Sequence, residues 1–273
     1  MRLRRDRAGS MAFEAFGVAA EVRFGAAELE AHVRAILPPG WRACDSARAI
    51  ATFSLQRVEV DSYSVTINGS SAIEHASLDV ALGLIDADIR MLIATKTSDW
   101  IFVHAGVVAL GDRALVLPGT SFSGKSTIVR SLVELGATYY SDEYAVFDED
   151  GMVHPYPRRL SIRSDDGAVI TEHDVRELGG VAGEDRAAVG LVALIRYRPG
   201  AQWRPATISA GEGTVAVLTN TVPAQQRPGD SLRTVARALR DSRVLVGDRG
   251  EAGVAAEALF AELTAAGSEA PRS

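Results

Sequence analysis

The sequence predicts an α/β protein, a mixed central sheet flanked by helices, preceded by a small α+β N-terminal unit. Three observations carry this prediction. From about residue 98 onward, strand-like runs of β-branched and apolar residues are interleaved with segments of helical period. Among them Gly119 to Ser126 spell G-x-x-x-x-G-K-S, placed after a strand-like run and opening a helix-like one. The residues before this part read differently, as two β-rich stretches around one short helix. The boundaries are therefore set at 1–97 for the N-terminal unit, a candidate substrate-binding part, and 98–273 for the main domain.

Each element has its own signal. Ala12 to Phe24 and Ala49 to Asn68 are rich in alternating β-branched and aromatic residues, and the second run closes on Asn68-Gly69, a turn signal. Between them "AAELEAHVRAILPPG" carries a helical period and stops at Pro38-Pro39-Gly40. From Ala76 to about Lys96, the apolar residues Leu78, Leu82, Ile85, Ile89, Leu92 and Ile93 recur at three- and four-residue steps, giving a long amphipathic helix. Two β-rich runs then flank Gly111-Asp112, which predicts a hairpin whose second strand ends at the glycine-rich loop. "STIVRSLVELG" follows as a helix with Gly136 as its C-terminal glycine. "ATYYSDEYAVFDEDGMVHPY" reads as strand, carboxylate pair, strand and turn, and "PRRLSIR" as a short strand. Residues 171–188 are polar and contain glycine, and are expected to form a mobile insertion. "VGLVALIRYRP" predicts a buried strand, and "SLRTVARALRDSRVLVGDRGEAGVAAEALFAELTAAG" reads helix, strand, helix.

Composition narrows the function classes. The 273 residues are 47% hydrophobic and 23% charged, the balance of a globular protein, and no apolar run is long enough to span a bilayer. A formal charge of -6 argues against a general nucleic-acid binder, which needs excess cations to displace counterions from phosphates. Cys44 is the single cysteine, which rules out an internal disulfide and a thiolate metal cluster within one chain. The N-terminal stretch is basic but lacks the apolar core and cleavage site of a secretory signal, so a cytoplasmic protein is expected.

The loop explains itself physically. Backbone N–H groups freed by glycine converge at the positive end of a helix, where they hold phosphate oxygens. Gly119, Thr120, Ser121, Phe122, Ser123, Gly124, Lys125, Ser126 and Thr127 are the nucleotide-binding candidates. Lys125 supplies charge for the β and γ phosphates, Ser126 a hydroxyl ligand for Mg²⁺, and the nucleotide expected is ATP. One strand beyond the loop helix come Asp142 and Glu143. Asp142 is placed to deprotonate an acceptor hydroxyl and Glu143 to hold Mg²⁺, directly or through water. Their adjacency on a strand would point them to opposite faces and separate their roles. Asp148, Glu149 and Asp150 beside Gly151 read as a hairpin tip. His104, among apolar and small residues, reads by itself as a hydrogen-bonded core histidine. Of Arg158, Arg159 and Arg163, the candidate for contacting a transferring phosphate is Arg163, which follows Leu160 and Ile162 at the end of its run.

Taken in order, His-Ala-Gly-Val at 104–107, "GTSFSGKST", a short helix ending at Gly136, and "SDE" at 141–143 resemble the catalytic domain of the HPr serine kinase/phosphorylase family. The likeness covers about residues 100–165 motif by motif, and 98–265 by element order. It implies the P-loop kinase fold of the HPr kinase C-terminal type. By it Asp142 matches the first Asp of the family's Ala-Asp-Asp segment, the acceptor base, Glu143 matches the second, and His104 matches the strand histidine near the phosphates. The family's Arg-Gly-Ile-Gly segment has no match, and its Pro-x-Arg-Pro-Gly-Arg loop is matched only in part by "RYRPGAQWRP", so neither the reverse reaction nor HPr itself as substrate is implied. The chain is more similar to the short HPr-kinase-like proteins of peptide-modification clusters, including lasso-peptide precursor kinases. The resemblance therefore implies an ATP- and Mg²⁺-dependent kinase acting on a serine of a peptide or protein, a precursor peptide among them. Its partners would be neither nucleic acid nor membrane, and family members that form ring-shaped hexamers leave a homo-oligomer open. The alternatives are a kinase for a small-molecule hydroxyl, such as free serine or a sugar, and a non-catalytic ATP-sensing module.

Overall fold

A computed structural model describes residues 8–119, 124–163 and 170–268, leaving out the side chains of 163, 170 and 266–268. The chain forms two compact units, Met1–Asp99 and Trp100–Ser273.

The first unit is a six-stranded sheet with two helices. β1 (Gly9–Ala15) and β2 (Val18–Phe24) form a hairpin, so the single β-rich run read from the sequence is two strands. The break falls at Phe16-Gly17, both at positive φ (50° and 77°), as the tight turns that match strand twist require. After a short 3₁₀ turn come α1 (Glu30–Ile36), β3 (Arg42–Ala43), β4 (Thr52–Glu59), β5 (Ser62–Ile67), β6 (Ser70–Ala76) and α2 (Leu78–Lys96). The second run is likewise split, at Val60-Asp61, and Asn68-Gly69 turns β5 into β6 rather than ending the sheet. The strand order is β3-β1-β2-β4-β5-β6, with β2 and β4 parallel. Ser77 caps α2 by accepting from the Val80 N–H; of the predicted stripe Leu82, Ile85, Ile89 and Ile93 are buried, while Leu78 and Leu92 are half-buried. That face packs on β2 and β5, where Val22 and Val65 are fully enclosed.

The second unit has an eight-stranded mixed sheet. β7 (Ile101–Leu110) and β8 (Arg113–Pro118) make the predicted hairpin over Gly111-Asp112. α3 (Lys125–Glu134) follows the loop and ends before Gly136, whose φ of 101° only glycine takes without strain. Next are β9 (Thr138–Ser141), β10 (Tyr144–Phe147), β11 (Val153–His154), β12 (Leu160–Arg163), β13 (Ile170–His173), β14 (Ala188–Tyr197) and β15 (Ala206–Ile208). The chain closes with α4 (Ala210–Leu218), α5 (Pro228–Ala238), β16 (Arg243–Arg249) and α6 (Ala252–Ser268). The sheet runs β11-β10-β7-β8-β14-β16-β15, with β9 pairing β7, while β12 and β13 form a separate ribbon.

Both faces of the sheet are covered. Ile128 and Leu132 of α3 and Ala256 and Leu259 of α6 bury Leu115, Leu117 and Leu191 on one side. Val217 of α4 and Val235 and Ala238 of α5 cover Val116, Val192 and Phe147 on the other. Full burial of each Leu, Ile, Val or Phe side chain in these layers stabilises by about 1.5–3 kcal/mol. Gly106 lets α3 approach the sheet, since a Cβ there would meet Val129 Cγ2 at 2.6 Å.

Residues 171–188 are not a loose insertion where they are described. Thr171–His173 belong to β13, Val175 is buried, and the segment bridges to the sheet at Tyr139–Ala182 and Val153–Ala187. The apolar anchors are spaced too widely to register as a periodic element, which is why composition alone suggested a loop. β8, β14 and β16 run parallel, so their carboxyl ends lie together. In open α/β sheets that is the edge where ligands bind.

Candidate functional site

The loop sits at that edge, with Pro118 ending β8 and Gly124 at the N-cap of α3. Gly124 has φ of 84°, the left-handed conformation the loop needs before the helix begins. Thr120, Ser121, Phe122 and Ser123 lie outside the described residues. Gly119 is held by its N–H donating to the His104 carbonyl at 3.0 Å. That bond follows from the β7–β8 hairpin, in which Ala105 lies opposite Pro118. His104 is thus tied to the root of the loop through its backbone. Its own N–H donates to the Asn220 carbonyl at 2.8 Å, and its ring lies 4.9 Å from that of Tyr144 at a 33° tilt.

Lys125 opens α3 and is only 7% exposed. Burial lowers its pKa below the ordinary lysine value, and the negative charge of Asp142 opposes that shift. Ser126 donates its hydroxyl to Asp142 Oδ2 at 2.9 Å. The other carboxylate oxygen, Oδ1, accepts from the Tyr139 hydroxyl at 3.0 Å, and the Ser161 N–H reaches Oδ2 at 3.3 Å. Asp142 is therefore gripped from α3, β9 and β12. Burial pushes the Tyr139 hydroxyl well above its ordinary pKa, helped by the Asp142 charge, while Arg158 acts in the opposite direction. Tyr139 is consequently a neutral donor at physiological pH. Thr127 is exposed on the first turn of α3.

Asp142 and Glu143 are not on a strand, as their sequence context suggested, but in the bend between β9 and β10. Buried Ser141 makes that bend, its Oγ accepting from the N–H groups of Glu143 (3.0 Å) and Tyr144 (2.9 Å). The strict alternation of a strand does not apply there, so it does not separate the roles of the two carboxylates. Glu143 also accepts through its backbone carbonyl from the Ala105 N–H at 3.0 Å, next to His104. Arg163 ends β12, paired with Ile170, and its side chain lies outside the described residues. Arg159 faces away to Glu177 at 3.8 Å. The predicted hairpin tip is structural: Asp148 accepts from the Met152 N–H (2.9 Å), His154 (2.8 Å) and Arg186 (3.0 Å).

The donor set around Ser126 consists of hydroxyl and carboxylate oxygens, which suits a hard cation such as Mg²⁺. Among the described residues no group of three or more His, Cys, Asp or Glu side chains is arranged to hold a metal by itself. At triphosphate sites Mg²⁺ takes one or two protein ligands and completes its shell with phosphate and water. Ser126 Oγ and Asp142 Oδ2, 2.9 Å apart, would fit such a role.

Sequence reading did not single out Tyr139, whose hydroxyl donates to Asp142, and it passed over Arg158, whose charge acts on Tyr139, in favour of Arg163. "TYYSDE" carried a usable signal, a hydroxyl three residues before a carboxylate across a bend. It also missed Arg249, the last residue of β16, which donates to the Gly124 carbonyl at 3.3 Å.

No protein-family model and no curated protein matches this chain. Among solved structures it is similar to the Hpr(Ser) kinase/phosphatase from Coxiella burnetii, at 15% identity over 60% of this chain and 96% of that one, with a TM-score of 0.36. A likeness of that depth decides nothing about substrate or chemistry. Among the described residues no helix is long and apolar enough to cross a membrane.

Proposed function

We propose that the second unit is an ATP- and Mg²⁺-dependent kinase that transfers the γ-phosphate to a hydroxyl, a serine of a peptide or protein. The observation that supports this most is the 2.9 Å contact between Ser126 and Asp142, which sets a carboxylate beside the loop residue that follows Lys125. Three donors from three elements hold that carboxylate at this point.

In this reading Lys125 and the loop amides offset β and γ charge, and Ser126 with Glu143 would hold Mg²⁺, whose contribution is to neutralise phosphate charge. His104, fixed to Gly119 through the backbone, contacts the transferring phosphoryl, and Arg163 is assigned the same neighbourhood. Asp142 orients the acceptor and takes its proton. The acceptor oxygen forms a new bond to the γ phosphorus, the bond from that phosphorus to the β–γ bridging oxygen breaks, and ADP leaves with the electron pair. In the free chain Asp142 Oδ2 accepts from the Ser126 hydroxyl at 2.9 Å; were Ser126 to give that hydroxyl to Mg²⁺, Oδ2 would be open to accept the acceptor's proton.

A second role for Asp142 is favoured by the same contact, because a Ser/Asp pair in hydrogen-bond reach is also how P-loop proteins hold Mg²⁺. Asp142→Asn separates the two: as a base it is lost from transfer alone, as a metal-side ligand it takes Mg²⁺-dependent ATP affinity with it. The reading as a whole is tested by acceptor-dependent formation of ADP from ATP, with Lys125→Ala as the control that should abolish it. ATP bound tightly with no ADP formed under any acceptor would instead fit an ATP-sensing module.

A further inference from the structure

Arg249 is only 6% exposed, unusual burial for an arginine, and it lies next to the loop because of sheet register. Val116 of β8 pairs with Val192 of β14, which pairs with Val244 of β16, so the end of β16 overhangs the end of β8 where the loop begins. From there Arg249 Nη2 donates to the Gly124 carbonyl at 3.3 Å and Nη1 to the Gly250 carbonyl at 2.9 Å. The guanidinium lies 4.8 Å over the Tyr197 ring. A Cβ on Gly124 would come within 2.2 Å of Nη2, so the loop glycine is needed for this contact as well as for its φ.

The partners do not account for the charge. Both hydrogen-bond acceptors are neutral carbonyls, and Nε is buried without a hydrogen bond among the described residues. Among those residues no carboxylate forms an ion pair with it; neighbouring Asp248 is engaged by Arg196 at 2.8 Å and Arg198 at 3.2 Å. Burial holds its pKa below the ordinary arginine value, with Tyr197 and Glu251 only partly opposing. A buried cation without a counter-ion is costly, and such groups are normally paired. Its position at the positive end of α3, beside Lys125, points to an anion as the missing partner.

We infer that Arg249 is a second cation of the triphosphate site, bonded to neutral carbonyls in the free chain and to a phosphate oxygen of the bound nucleotide. This rests on the triphosphate site of the proposed function, and not on the transfer step. The planar fork lets it keep the Gly124 carbonyl while it donates to phosphate, so it links the loop to the β14–β16 edge.

The test uses the full chain with Mg²⁺ and ATP, measuring affinity by calorimetry and the nucleotide-free melting temperature for Arg249→Met and Arg249→Lys. Loss of a charge-assisted contact predicts that Arg249→Met weakens ATP binding about tenfold to a hundredfold. Its melting temperature without nucleotide should match or exceed that of the wild type, since a buried unpaired cation has been removed. Unchanged ATP affinity, or a lowered nucleotide-free melting temperature, would overturn the inference and leave Arg249 a structural staple. Should Arg249→Met not fold, Arg249→Lys decides: weaker ATP binding at an unchanged melting temperature supports it, while wild-type binding or a lowered melting temperature overturns it. A wild-type chain that forms no ADP yet shows the predicted affinity pattern would sink the kinase reading and leave this one standing.

Discussion

Replacing Asp142 by Asn changes one charge and almost no volume, and the structure says what should follow. The carboxylate accepts from Ser126 at 2.9 Å, Tyr139 at 3.0 Å and the Ser161 N–H at 3.3 Å. A hydrogen bond to a charged acceptor contributes about 1 kcal/mol more than one to a neutral acceptor, so three such bonds set an upper loss of about 3 kcal/mol. Water reaches the half-buried carboxylate, and the amide retains some of the bonds, which brings the expected loss to about 1–2 kcal/mol. Removing the charge also takes away what opposes the burial shift of Lys125, but a bound triphosphate supplies that charge again. ATP affinity should therefore survive. Removal of a general base predicts a fall in transfer of about 10²–10⁴-fold. Urea unfolding, calorimetric ATP binding and single-turnover ADP formation measure the three quantities on one preparation. Transfer at the wild-type rate would refute the role given to Asp142, and a matching collapse of Mg²⁺-dependent ATP affinity would move it to the metal.

Three further predictions concern the frame of the site. Lys125→Met should weaken ATP binding yet leave the nucleotide-free chain at least as stable, because burial already disfavours the lysine's charged form; a lower melting temperature would contradict this. Asp148, although burial works against it, is held below the ordinary carboxylate pKa by His154, the Met152 N–H and Arg186. The stability it contributes is therefore complete above its unfolded pKa of about 3.9 and is lost as pH falls through the lower folded value. Wild type should accordingly exceed Asp148→Asn in melting temperature at pH 7 and converge with it in strong acid, whereas a constant gap would refute the linkage. Gly106→Ala should cost about 1–3 kcal/mol in urea unfolding, since the new Cβ would sit 2.6 Å from Val129 Cγ2 and push α3 off β7. A neutral effect would mean that the helix yields without penalty.

Legibility in the sequence followed locality. The β7–β8 hairpin, the start of α3 and the buried stripe of α2 were all readable, because each is set by residues within a turn or two of one another. α4 was passed over although Ser209 and Glu212 form a reciprocal capping box, because its two glycines weaken the helical pattern. The bend at Ser141 was invisible because one hydroxyl accepting from two N–H groups leaves no periodic trace. Arg249 was out of reach for a different reason. It meets Gly124 across 125 residues of chain, through the parallel register of β8, β14 and β16, and a sequence does not display register between strands so far apart. Locality was not sufficient either, since Tyr139 lies three residues from Asp142 and was still missed.

The proposed reaction moves a phosphate from ATP to a hydroxyl. The most direct measurement is incubation of the chain with Mg²⁺ and γ-labelled ATP against serine-containing peptides, free serine and sugars, with product masses and the modified atom determined. Label is expected on a peptide or protein serine, in step with ADP formed and absent in Lys125→Ala. Label on free serine or a sugar alone would change the acceptor class, and ATP bound without label appearing on any acceptor would contradict the central claim.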